Sequence, residues 1–218
     1  MQREQMHIGN AAGFSVDRMD VGGPVVDSLI ASGRPAALFY ETLAERTLAI
    51  AQRERRTDPG KGYTADLAGF VGPVLKRCVA SGVPIIGNFG AANPFGAAKK
   101  LHALAKEQGI SGLRVAVVDG DDLRENLRGL RTRPWGNEKP LDLANTEILA
   151  ANVYMGSQPI ADALDQNPHI VVTGRVTDSA LTLGPLMQHF GWAADDWDRM
   201  AAGVLAGHLL ECGSQITG

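Results

Sequence analysis

Cysteine is scarce in this chain. Cys78 and Cys212 are the only two, far apart and in no metal-ligand spacing. A reduced, cytoplasmic setting fits that better than a disulfide framework. An excess of one charge is also missing. Lys+Arg is 21 and Asp+Glu is 24, a formal net charge of -3, whereas nucleic-acid binders carry a basic surplus. The local basic group Arg128, Arg131 and Arg133 reads as a solvated surface. No apolar run approaches the roughly 20 residues of a membrane helix. The opening MQREQMHIGNAAGF has none of the apolar run of a secretory signal. Three signatures are absent too: a G-x-x-x-x-G-K-S/T phosphate loop, a G-x-G-x-x-G turn after a strand, and a G-x-S-x-G elbow. Ordinary P-loop, dehydrogenase and α/β-hydrolase readings lose support with them.

What is present is an ordinary globular composition, 44% hydrophobic and 21% charged over 218 residues. That length suffices for one domain over residues 1–218 with helices on both faces of a sheet. Apolar runs at 6–9, 36–39, 83–87, 113–118 and 170–173 are candidate strands. The last three are β-branched and nearly uninterrupted, as in strands covered on both faces. Helical periodicity occupies 42–55, 65–80, 95–108, 178–190 and 195–210. Asn93-Pro94 fits a helix cap followed by proline at the first helical position, and Gly109 fits a stop. The alternation predicts an α/β fold with a mostly parallel sheet, Rossmann-like in three layers. Residues 131–144, with two prolines and mixed charge, break the rhythm and read as a surface loop or lid.

In open parallel sheets ligands bind beyond the carboxyl ends of the strands. Polar residues just after apolar runs are therefore the candidates. Asn10 opens the first group. Asn88, Gly90 and Asn93 follow the third run, beside a helix start able to face an anion. Asp119, Asp121 and Asp122 follow the fourth. They could hold a divalent cation or ribose hydroxyls, or cap a helix. The fifth run ends in Thr173, Gly174 and Arg175, with Asp178 and Ser179 behind. Arg175 can fork onto a carboxylate or phosphate. The competing reading is an internal Arg175–Asp178 ion pair. Asn152 and Tyr154 precede a Gly156-Ser157 turn and a helix start, and Tyr154 is a candidate acid. His208 and Glu211 stand three apart on one helical face. Such a pair can ligate a metal, but with no second pair visible, local packing is favoured and no metal is expected.

These stretches resemble the acyclic terpene utilisation family, the AtuA-type proteins. The resemblance rests on IGNAAGF, LAERTLAIAQ, GNFGAANP, VAVVDGDDL, ANVYMGSQPIADAL, IVVTGRVTDSALTLGPL and HFGWAADDWDRMAAGVLAGHLLECGSQITG, in family order. The family domain continues past the element ending at Gly218, so the chain looks like its N-terminal portion. RPAALFYETLAERTL departs from the commoner family wording, and no role carries over onto Tyr40 or Glu41. The resemblance implies breakdown of acyclic terpenes such as citronellol and geraniol, through acyl-CoA thioesters.

The leading expectation is a cytoplasmic enzyme acting on a carboxylate or acyl-CoA intermediate by lyase- or hydratase-like acid–base chemistry. Asp119, Asp121, Tyr154 and Glu211 are the candidate catalytic groups. Asn10, Asn88, Gly90, Asn93, Asn152, Thr173, Gly174, Arg175, Asp178 and Ser179 are the candidate substrate contacts. No cofactor is specified beyond CoA as part of the substrate. The expected partners are a small-molecule substrate and a second copy or partner subunit, not nucleic acid or membrane. The alternatives are a non-catalytic subunit or binding module of a CoA-dependent carboxylase assembly, and a nucleotide-binding domain using Asp119 and the GNFG turn.

Overall fold

The computed structural model describes residues 5–137 and 139–217. Gly218, where the family resemblance stops, and position 138 of the expected loop lie outside the described residues. Five strands form one sheet: β1 (His7–Asn10), β2 (Ala36–Tyr40), β3 (Ile85–Gly87), β4 (Val115–Val118) and β5 (Ile170–Thr173). Their spatial order is β1-β2-β3-β5-β4, and every pairing is parallel. The expected three-layer α/β architecture is what forms. All five apolar runs become strands, with ends moved by a residue or two where loops take over.

Side-chain alternation sorts the sheet into two apolar faces. Leu38, Tyr40, Ile85, Ile170 and Val172 meet α1 (Gly22–Ala31), α3 (Leu67–Ser81) and α4 (Pro94–Glu107). Ala37, Phe39, Ile86 and Val171 meet α5 (Gln158–Leu164) and α6 (Ala180–Phe190) on the other side. Two helices stand off the sheet. In α2 (Glu45–Thr57), Leu48 and Ala51 pack on loop residues Leu43, Ala91 and Ala92. α7 (Trp197–Glu211) lies on α6.

Helix α1 is not foreseen from the sequence, because Gly22-Gly23-Pro24 reads as a breaker. A proline in the first turn removes an N–H that has no helical partner anyway. Gly22 also lets the helix approach the sheet, since a Cβ there would lie 2.6 Å from the Tyr40 hydroxyl. The Asn93 side chain accepts from the Gly96 N–H at 3.0 Å and caps α4 as expected. Among the described residues, no helix is long and apolar enough to cross a membrane.

The topology fixes where a ligand can sit. The helix after β3 covers one face and the helix after the adjacent β5 covers the other. Their connections therefore diverge and leave a crevice at the carboxyl ends. Asn88 and Gly174 are the first residues past those two ends.

Candidate functional site

Beyond the carboxyl ends of β2 and β5 lies a pocket of about 330 Å³. Glu41, Glu45, Asp178 and Glu211 give it four carboxyl groups, against the single guanidinium of Arg175. Cys212 and the backbone around Gly13 and Leu43 complete the rim. A second space of about 360 Å³ adjoins it through the shared residues Ser15, Thr42, Leu43 and Thr47. Its wall is mostly apolar, with Val16, Ile50, Ala51, Tyr63 and Ala91, and Arg46 and Glu54 are its charged members together with Asp66.

Glu41 is the least exposed acid of the first pocket, at 8%. It is the residue immediately after the fully buried β2. Its Oε1 accepts from the Asn88 side-chain amide and, at 3.1 Å, from the Leu43 N–H. Neither bond uses Oε2. Burial pushes the carboxyl up to about 7, against the lowering pull of Asn88, the Leu43 N–H and Arg175. Asn88 is itself clamped, its Oδ1 accepting from the Thr42 N–H at 2.7 Å. Thr42 and Thr64 share a hydroxyl–hydroxyl bond of 3.0 Å beneath. The polar groups under Glu41 are thus tied to three separate segments.

Arg175 is 4% exposed and heavily engaged. It donates to the Leu43 carbonyl and to Asp178 Oδ1, each at 2.6 Å. The Tyr154 ring lies 3.9 Å from the guanidinium carbon, a cation–π contact. Its Nε is buried with no partner. The ion pair weighed against ligand binding is therefore present, and one donor remains unmatched.

Helix α7 closes the third side. Asn10 Nδ2 donates to the Leu210 and Glu211 carbonyls at 2.6 and 2.9 Å, tying the helix end to β1. Gly13 approaches the Cys212 carbonyl so closely that a Cβ would lie 2.3 Å from it. The Cys212 thiol donates to Glu211 at 3.1 Å, and that bond with burial raises it to about 11.

Among family models, the one described as acyclic terpene utilisation family protein AtuA matches residues 6–218. The chain belongs to the AtuA family. Membership assigns it a role in acyclic terpene utilisation. No curated protein and no solved structure gave a match.

Within this AtuA-family chain the candidates read from sequence divide into groups. Arg175, Asp178 and Glu211 line the pocket. Asn10, Asn88 and Thr173 stand behind it, the last wholly buried with its hydroxyl on the Gly174 carbonyl at 2.9 Å. Asp121, 2% exposed, sits under the β5 turn. Its Oδ2 accepts from the Arg175 N–H at 2.8 Å and from Asn152 at 2.7 Å, and burial raises its carboxyl. Gly174 is required there, because a Cβ would meet Asp121 Oδ1 at 2.4 Å. Gly90 is held just as tightly, a Cβ falling 2.4 Å from the Thr173 carbonyl. Asn93 binds the Pro59 and Lys61 carbonyls as well as capping α4. Ser179 is buried against α7. Tyr154 is 43% exposed and donates to the Glu45 carboxylate.

The Asp119–Asp121–Asp122 group does not converge. Asp119 is exposed, Asp121 is buried, and Asp122 pairs with Arg124 at 2.7 Å. The described residues of the 131–144 segment form no regular element, and none of them lines the pocket. Glu41 and Glu45 were missed. The signal for Glu41 was available: an acid directly after the all-apolar AALFY run.

Proposed function

We propose that this AtuA-family chain is a cytoplasmic enzyme that moves a proton on a branched acyl thioester, with Glu41 as the acid–base group. One observation carries the reading: Glu41, nearly buried at a strand end, faces the pocket with a carboxyl raised to about 7. A carboxyl poised there can both take and return a proton near neutral pH. Asn88 and the Leu43 N–H fix its position. This supports lyase- or hydratase-like chemistry, which needs proton movement and a fixed geometry.

The four carboxyl groups argue for a thioester rather than a free acid. Arg175 already has its charge matched by Asp178, so a bare carboxylate would meet mostly like charge. A thioester presents a neutral carbonyl. The adjoining apolar space suits the hydrocarbon chain, with Val16, Ile50 and Ala51 against it. Both cysteines are free, which supports the cytoplasmic setting.

The test pairs binding with turnover. Calorimetry should show a branched acyl-CoA binding and the corresponding free acid binding more weakly. Glu41→Gln should leave acyl-CoA affinity within about threefold and lower turnover by roughly 10²–10⁴-fold. Turnover equal to the parent would end the acid–base reading.

A second reading, a non-catalytic subunit of a CoA-dependent carboxylase assembly, draws on the outer face of α7. Trp197, Leu205 and Leu209 are exposed there. It predicts that Glu41→Gln leaves the activity of the assembly unchanged.

A further inference from the structure

The fold gathers three potential metal ligands that the sequence keeps apart. His208 and Glu211 lie on the last turn of α7, and Asp178 lies just before α6. One ligand atom from each falls within 4.8 Å of the others, the single such trio among the described residues. Two atoms bound to one ion at about 2.0–2.2 Å stand at most about 4.4 Å apart. A small rotamer adjustment therefore closes the trio onto a common centre.

The approach has an identifiable cause. Gly207 packs against Ser179, where a Cβ would lie 2.5 Å from the serine Cβ and 2.7 Å from its Cα. Gly203 does the same at Leu183, with a Cβ 2.5 Å from Cδ1. These two glycines let α7 lie close to the start of α6. That contact carries His208 and Glu211 up to Asp178. Of the two Asp178 oxygens, Oδ1 accepts from Arg175 and Oδ2 has no such bond. Helical spacing sets His208 beside Glu211, and Glu211 accepts from the Cys212 thiol through Oε1, with no hydrogen bond to His208 among the described residues.

Glu41 adds a further carboxyl to the same wall. Glu41, 8% exposed, lines the same pocket and keeps Oε2 out of both its hydrogen bonds. The carboxyl end of α7 also faces this region, and a helix carboxyl end favours positive charge.

We infer that Asp178, His208 and Glu211 bind one divalent transition-metal ion of the Mn²⁺ or Zn²⁺ class, with open coordination positions turned toward the pocket. One imidazole and two carboxylates suit these ions better than Ca²⁺ or Mg²⁺, which favour all-oxygen shells. Three protein ligands with a position left open is the pattern of reactive rather than structural sites. The inference does not rest on the acid–base role of Glu41, because it is read without substrate.

The test uses the full chain stripped of metal by a chelator. Zn²⁺ and Mn²⁺ are titrated separately by calorimetry, with parent, Glu211→Gln and His208→Gln proteins. One ion per chain is expected in the parent. Affinity should fall more than about tenfold in each variant, since even outer-shell partners of ligands are worth roughly 10–100-fold. The melting temperature of the metal-free variants reports whether they fold. Should either fail to fold, the parent alone decides: Zn²⁺ must shift the His208 imidazole resonances in its NMR spectrum. No binding by the parent, equal binding in both folded variants, or unmoved His208 resonances would each overturn the site.

Discussion

At the scale of single residues, Glu41 couples the candidate chemistry to stability. Its usual value is 4.5 and the folded value is about 7, with burial as the main cause. The folded state therefore holds the proton more tightly than the unfolded chain. Stability from this group is fully present below about pH 4.5 and is lost as pH rises through about 7. The loss is on the order of 3 kcal/mol at about 1.4 kcal/mol per pH unit. Denaturant titrations of the metal-free protein between those limits should show this decline, and Glu41→Gln should flatten it. The facing charges that could reshape the curve are Arg175, which lowers the Glu41 value, and Glu211, which raises it. Glu41 was open to discovery in the sequence as an acid after an apolar run. Its altered acidity was not, because burial and the Asn88 contact come from segments 47 residues apart.

At the scale of elements, the α6–α7 contact is the joint that shapes the pocket. Ala is a better helix former than Gly by about 1 kcal/mol. In an unpacked helix, Gly207→Ala would therefore stabilise. Here the new methyl meets the backbone of Ser179, its Cα at 2.7 Å and its carbonyl oxygen at 3.0 Å, so overpacking wins. A net loss of about 1–3 kcal/mol is expected, measured as a lower denaturation midpoint. Metal affinity should fall in the same variant, because α7 must shift to accommodate the methyl. The periodicity of 195–210 announced this helix, and Asp196 caps it by accepting from Arg199 at 3.4 Å. What periodicity could not give is the helix beneath it. Two glycines four apart mark a surface of close approach, but only packing names the partner.

At the scale of the whole molecule, Arg175 links the loop after β5 to the loop after β2, across β3 between them. Its bond to the Leu43 carbonyl holds the pocket's two walls together, and its bond to Asp178 braces it within its own loop. Arg175→Ala should cost about 3 kcal/mol in a denaturation experiment. That is the low end for a buried pair, because the Asp178 side chain keeps 41% exposure and can be rehydrated. Acyl-CoA affinity should fall with it, as the wall at Leu43 loosens. The sequence by itself determined the strands, most of the helices and the family. Those follow from local periodicity, caps and stretches long enough to be distinctive. It also determined that polar residues after the strands would share one edge, since parallel strands end on the same side. Tertiary structure alone decided which of them meet. It buried Asp121 under Gly174, left Asp119 in solvent, and brought Asp178, His208 and Glu211 within reach of one ion. The physical reason is that pocket geometry is set by contacts between distant segments, such as Gly207 on Ser179 and Asn10 on the end of α7, and local sequence carries no record of which segments touch.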